Sequence, residues 1–161
     1  MRATMLLRQI SISAFLVICL ASVDALDASD NARMDNLVRK ASQLRQDLRN
    51  VQSGGSHGGT AWDCLNELSH NLETVSLRIV WLRSIVTIAS SMVDDSDKQA
   101  VLKVLNEDAN SSLKHIKLDR KGINLTAGYC SWNSVAVAKA QEILEFYDEA
   151  TSVVRLIVEA R

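Results

Sequence analysis

The chain has 161 residues, 18 of them basic and 19 acidic, and its formal net charge is −1. Because it has no basic excess, the composition argues against a nucleic-acid partner. The chain has no proline and only 6 glycines, which favours an all-α fold, and its length suits a single hydrophobic core.

Residues 1–25 have the pattern of a secretory signal peptide. A basic start is followed by an apolar core over residues 10–20, and Val23-Asp24-Ala25 fits the small-x-small cleavage rule. An uncleaved membrane anchor is the alternative, but the apolar core is shorter than the roughly 20 residues that span a bilayer. We therefore expect cleavage before Leu26, a single domain over residues 26–161 without a membrane span, and export to a bacterial periplasm or the extracellular space.

The first predicted helix opens near Asp27 to Asp30, where acidic and capping side chains suit a helix N-terminus. Apolar residues then recur at alternating steps of three and four, the spacing of one helix face. They are Met34, Leu37, Ala41, Leu44, Leu48 and Val51. A glycine-rich stretch, residues 53–59, ends this helix. It lacks the Gly-Lys-Ser/Thr ending of a phosphate-binding loop and is interpreted as a flexible connector.

The second predicted helix, from Thr60 to Val93, is the element around which the others are expected to pack. Thr60 and Asp63 form a variant of the capping box at its start. Asp94 and Asp95 help to end it, because acids oppose the negative end of the helix dipole. Its long apolar seam comprises Leu65, Leu68, Leu72, Val75, Ile79, Leu82, Val86, Ala89 and Val93.

The third predicted helix starts at a capping box, Ser96 with Gln99, and ends at Gly122 after a basic run, residues 114–121. A loop over residues 122–130 leads to the fourth helix, which is expected to start near Ser131. The seam of the third helix comprises Leu102, Leu105, Ala109, Ser112 and Ile116. The seam of the fourth comprises Ala136, Ala140, Ile143, Tyr147, Ala150, Val154 and Ile157.

Four amphipathic helices with short connections predict an antiparallel up-down-up-down four-helix bundle. The cysteines that remain after export are Cys64 and Cys130, and an even number in an exported chain favours a disulfide. In this topology both cysteines lie at the same end of the bundle. The bond would close a loop of about 66 residues and stabilise the fold by roughly 4 kcal/mol through chain entropy.

Three aromatic residues, Trp62, Tyr129 and Trp132, each lie within two residues of a cysteine. We therefore expect them at the disulfide end of the bundle. They form either a pocket for a small apolar ligand or a packing plug over the disulfide.

The basic residues of the third helix are expected at the same end of the bundle. These residues are Lys114, Lys117, Arg120 and Lys121. They bind an anionic group, or they complement the C-terminal end of the helix dipole.

No constellation of residues predicts a cofactor, a metal site or catalysis. His57, His70 and His115 lie on a loop, an outer helix face and the basic run, and they do not form a metal set. The acidic turn at residues 94–97 lacks the spacing and the glycine of a calcium loop. No serine or cysteine has the partners of a nucleophile, so we expect a protein that is not an enzyme.

Apolar residues also occur outside the seams. Leu77, Trp81 and Ile88 lie on the outer side of the second helix, and Val137, Leu144 and Val158 form a similar row on the fourth. Either the core is wider than a single seam on each helix, or these faces bind a second copy or another protein.

The sequence therefore favours an exported, non-enzymatic helical bundle that acts by binding another protein or itself, as a homodimer. The alternative is a carrier that holds a small apolar or anionic ligand at the disulfide end. Asn110 and Asn124 begin Asn-x-Ser/Thr sequences and would be glycosylated only in a eukaryotic secretory pathway.

Overall fold

The computed structural model describes residues 27–54 and 59–159. The predicted signal peptide and residues 55–58 of the glycine-rich connector lie outside these ranges. The described chain folds into four helices: α1 (Asp27–Gly54), α2 (Gly59–Ser91), α3 (Asp95–Tyr129) and α4 (Ser134–Glu159). Their packing confirms the predicted all-α four-helix bundle. Within the described ranges, no helix is both long enough and apolar enough to cross a lipid bilayer.

Surface ion pairs mark the antiparallel register of α1 and α2. Arg83 of α2 pairs with Asp35 of α1, and Arg45 of α1 pairs with Glu73 of α2, both at 2.8 Å. A step toward the C-terminus of α1 is therefore a step toward the N-terminus of α2. Because these side chains are partly exposed, each pair contributes at most about 1 kcal/mol.

The predicted seams form the core of the bundle. Every seam residue is buried except Val51, Leu102 and Val93. Val51 and Leu102 still pack against the core. Val93 is 97% exposed, so its assignment to the core was wrong. The reason is that α2 ends at Ser91 and Val93 lies in the turn that follows.

Helix α4 also contacts α2 across the bundle. Tyr147 is fully buried, and its hydroxyl donates a hydrogen bond to the backbone carbonyl of Asn71 at 2.8 Å. Burial raises the pKa of Tyr147, and the nearby carboxylate of Asp119 raises it further. The hydroxyl therefore stays neutral, and its hydrogen bond holds α4 against α2.

The start of α3 differs from the prediction, because Asp94 and not Ser96 is the N-cap. The Asp94 carboxylate accepts hydrogen bonds from the backbone N–H groups of Ser96 at 2.8 Å and Asp97 at 3.1 Å. The Ser96 hydroxyl also donates to Asp94, at 2.7 Å. These hydrogen bonds, that of the hydroxyl most of all, lower the pKa of Asp94. Ser96 thus supports the cap and does not form it.

Helix α3 continues to Tyr129, so the predicted stop at Gly122 and the predicted loop over residues 122–130 were wrong. Its inward face continues through Ile123 and Thr126, which are buried, and this packing outweighs the low helix propensity of glycine. A Cβ at Gly122 would lie 3.2 Å from Oδ1 of Asn71. The glycine therefore permits a close approach of α3 to α2.

Helix α4 begins at Ser134, later than the predicted Ser131. The side chain of Asn133 accepts hydrogen bonds from the backbone N–H groups of Val135 and Ala136, both at 3.1 Å. This is the geometry of an N-cap, and asparagine is among the residues that favour it.

Candidate functional site

The disulfide end of the bundle is formed by the start of α2 and the end of α3. Cys64 and Cys130 are bonded, as predicted, with their Cα atoms 6.1 Å apart. Tyr129 is 80% exposed and Trp132 is 59% exposed. The side chain of Trp62 lies outside the described residues. The two described aromatic side chains at this end are therefore largely exposed.

The basic run lies along α3 and not at its end. At 1.5 Å per residue, Lys121 lies about 12 Å and Lys114 about 22 Å before the end of the helix. The last turn of α3 contains no basic residue, so the expectation that these cations complement that terminus was wrong. Lys117 is exposed, and Arg120 forms an ion pair with Asp148 of α4. The run therefore does not join the aromatic residues in one site.

A polar cluster, formed by His70, Arg78, His115 and Asp119, lies between α2 and α3. Arg78 Nε and Asp119 Oδ2 are buried, and neither atom has a hydrogen-bond partner among the described residues. Burial raises the pKa of Asp119, while His115, Arg78 and His70 act in the opposite direction. Arg78 and Asp119 were not predicted from the sequence, because single charges beside an apolar seam are also typical of a solvated helix face.

The polar cluster does not provide a metal site. Across the described ranges, no group of three or more His, Cys, Asp or Glu side chains could hold a metal ion. His57, the remaining histidine, lies outside these ranges.

A surface groove of about 270 Å³ separates α1 from α4. It is lined by Lys40, Gln43, Leu44, Asp47, Glu142 and Glu145. Lys40 pairs with Glu149 at 2.6 Å, and Lys139 pairs with Glu142 at 2.8 Å. The groove is thus lined mainly by charged and polar side chains, some of which form ion pairs. Leu44 is the one apolar residue in its lining. Its lining comes from helices that are distant in the sequence, so no local pattern predicted it.

The clearest chemical pattern is a second seam on the outer side of α2, which we call the outer seam. Its residues follow the same steps of three and four as the core seam. They are Thr74, Leu77, Trp81, Ser84, Ile88 and Ser91. Leu77 is 59% exposed, Trp81 57% and Ile88 49%. No charged residue belongs to this seam.

Every polar side chain of the outer seam donates its hydrogen bond within its own chain. The indole Nε1–H of Trp81 donates to Oδ2 of Asp108 on α3 at 2.7 Å. The hydroxyls of Thr74, Ser84 and Ser91 donate to backbone carbonyls of α2 at 3.3, 2.9 and 2.8 Å. A partner that covers this seam therefore leaves no side-chain donor unsatisfied, which avoids the main cost of burying polar groups.

Helix α3 extends this exposed apolar surface. Val104 is 48% exposed and Leu118 is 59% exposed. Asp108 and Ser111 follow Val104 at steps of four and three, and Leu118 lies a further seven residues on, so these residues share one side of the helix. Because Asp108 binds Trp81, this row lies beside the outer seam. Asp108 was not predicted from the sequence, since an isolated acid on a helix carries no signal for its partner.

The predicted outer row of α4 does not form one surface. Val137 is 38% exposed, whereas Leu144 and Val158 are partly buried and pack against the core. Leu144 and Val158 therefore agree with the alternative that the core is wider than a single seam on each helix. They extend the apolar interior toward the bundle surface.

The chain matches no protein-family model, and no curated protein or solved structure is significantly similar to it. Its function is therefore inferred from the surfaces of the bundle.

Proposed function

We propose that this protein is an exported, non-enzymatic helical bundle that acts by binding a protein surface through the outer seam of α2. One observation carries the proposal: exposed large apolar side chains share one face of α2 with small polar side chains whose donors are already bonded. The signal-peptide pattern and the disulfide support export to an oxidising compartment, a bacterial periplasm or the extracellular space.

Burying the exposed apolar side chains of the outer seam would stabilise a complex with a partner. Leu77, Trp81 and Ile88 each leave about half of their surface in water. Fully burying such a side chain contributes about 1.5–3 kcal/mol, so covering the exposed half contributes roughly 1 kcal/mol each. Because Asp108 holds the Trp81 ring in place, little conformational freedom is lost on binding. Anchored aromatic residues of this kind dominate protein interfaces.

The shape of the outer seam favours a protein partner over a small ligand. A small ligand needs a concave site that buries most of its surface. The side of a helix is convex, and its row of side chains fits between the side chains of another helix. The alternative function as a carrier depends on the disulfide end, where Tyr129 and Trp132 are not enclosed.

The variant Trp81→Arg tests this proposal. Arginine keeps a donor for Asp108 but places a charge in the outer seam, so we expect partner binding to be lost while the fold is retained. A matched control is Leu156→Arg, which introduces the same charge at a residue of α4 that is 40% exposed. Complexes recovered with the tagged protein from its own organism are compared by mass spectrometry, and folding is checked by circular dichroism.

Two results would count against the proposal. Identical protein complexes from the wild type and Trp81→Arg would show that the outer seam is not the binding surface. A small molecule that co-purifies at one per chain, without any protein partner or self-association, would favour the carrier function instead.

A further inference from the structure

We propose that the partner of the outer seam is the same seam of a second copy of this chain, with the two α2 helices antiparallel. This inference rests on the proposed function and names the partner.

The outer seam has the spacing of a coiled-coil interface. From Thr74 to Ser91 its residues follow at steps of three, four, three, four and three, which is the a and d pattern of a heptad repeat. A seam with this pattern packs against another helix at a crossing angle of about 20°, with the side chains of each helix inserted between those of the other.

Antiparallel pairing of two such seams matches the sizes of the facing residues. A two-fold axis between positions 82 and 83 places Trp81 of one copy opposite Ser84 of the second copy. The same axis places Leu77 opposite Ile88. Each indole then lies beside a small side chain, and each aliphatic side chain contacts another. Parallel pairing would place Trp81 on Trp81 and Ser84 on Ser84, which crowds one layer and leaves a void in the next.

The charges around the seam also permit this pairing. Thr74 faces Ser91 in the antiparallel register, so both ends of the seam pair small uncharged residues. Beside the seam, Glu73 and Arg83 are each held in an ion pair with α1. Arg78 belongs to the polar cluster with α3. The dimer therefore forms without placing like charges in contact along the seam, which would weaken association.

The seam is long enough for a specific dimer. The helix from Thr74 to Ser91 is about 26 Å long and about 10 Å across, and the exposed row of α3, whose axis lies about 8–10 Å away, widens the strip to roughly 20 Å. The two copies would together bury about 1,000 Å², the lower bound for a specific interface. Val80, which is 44% exposed, and Val104 of α3, which is 48% exposed, contribute apolar surface within this strip.

Sedimentation of the purified exported protein over a range of concentrations tests the inference. We expect a reversible dimer. Trp81→Arg should raise its dissociation constant by about 100-fold or more, because an interface anchor is lost from both copies. Leu156→Arg, the control on α4, should leave the dissociation constant unchanged.

The orientation is tested with the double variant Thr74→Cys and Ser91→Cys, which leaves the large seam residues intact. Under oxidising conditions, we expect a cross-link between position 74 of one copy and position 91 of the other. Peptide mapping distinguishes this product from links between identical positions, which would overturn the antiparallel arrangement.

Three further outcomes overturn the homodimer. The first is a wild type that stays monomeric up to about 1 mM. If Trp81→Arg then abolishes binding of a different protein, the proposed function stands and only the homodimer is wrong. The second is a dimer that both Trp81→Arg and Ile88→Arg leave intact, because it uses another surface. The third is the unfolding of both variants, which would place the outer seam in the core and overturn both proposals.

Discussion

The two seams of α2 have the same residue spacing, but the core seam is buried and the outer seam is exposed to solvent. Leu82 of the core seam is fully buried, whereas Leu77 of the outer seam is 59% exposed. Both rows alternate at steps of three and four, so the helix itself does not distinguish them. The difference comes from the neighbouring helices, which cover one side of α2 and leave the other to water. Periodicity therefore predicts that residues share a face, and the tertiary arrangement decides which face is covered.

The largest expected difference between the seams is in stability. Leu82→Ala removes a fully buried side chain and leaves a cavity, which should lower the free energy of unfolding by about 3 kcal/mol. Leu77→Ala, the matched change in the outer seam, should alter it by less than about 0.5 kcal/mol. Urea denaturation at a concentration where the protein is monomeric measures both. Similar losses for the two variants would contradict the distinction between a core seam and an outer seam.

A smaller effect is expected where α3 approaches the covered side of α2. Gly122→Leu places a side chain against Asn71 and should cost about 2 kcal/mol through overpacking. Gly128→Leu is the control, because no atom of the described residues outside the local helix backbone lies within 4 Å of a Cβ at that position. It should stabilise the helix by up to about 1 kcal/mol. Equal effects of the two changes on the melting temperature would show that the helices do not approach closely at Gly122.

The smallest effect concerns the polar cluster. Burial raises the pKa of Asp119 in the folded protein, so its ionised form is disfavoured there. Below the unfolded-state pKa the burial of Asp119 does not reduce the free energy of unfolding. As the pH rises from the unfolded-state pKa to the folded-state pKa, the free energy of unfolding falls. Asp119→Asn cannot ionise and should therefore raise the free energy of unfolding near pH 7, by less than about 1 kcal/mol because the group is partly exposed.

The pH dependence provides the control for this prediction. Melting temperatures of the wild type and Asp119→Asn should converge at about pH 3, where the carboxyl is protonated in both states. A variant that is less stable than the wild type near neutral pH would mean that attraction to Arg78 and the two histidines outweighs burial.

The core seams made most of the fold predictable from the sequence. Four rows of mostly apolar residues in a chain without proline predict a helical bundle, and Cys64 and Cys130 then lie at the same end. The helix boundaries were less predictable, because more than one residue near a helix end can act as a cap or a stop signal. Asp94 and Ser96 are both good N-caps, and only the backbone path decides between them. Gly122 resembles a stop signal, but the buried Ile123 beyond it continues the helix.

The candidate site was predictable only in part. Leu77, Trp81 and Ile88 were identified because they are large and apolar outside the core seam. Ser84 was not, because a small polar residue does not register as part of a hydrophobic row. The partner of Trp81, Asp108, lies on another helix, and its role follows only from how α2 and α3 pack together. The basic run was misplaced because its position depended on the wrong end for α3.

The bond between Cys64 and Cys130 has a topological consequence. The chain runs from Cys64 through α2, the turn at residues 92–94 and α3 back to Cys130, so the disulfide closes this segment into a covalent ring. Helices α1 and α4 lie outside the ring, and each is joined to it by one covalent connection of the main chain. A single cut by a protease anywhere between the two cysteines opens the ring but releases no fragment. Trp81 and its anchor Asp108 then remain parts of one covalent molecule.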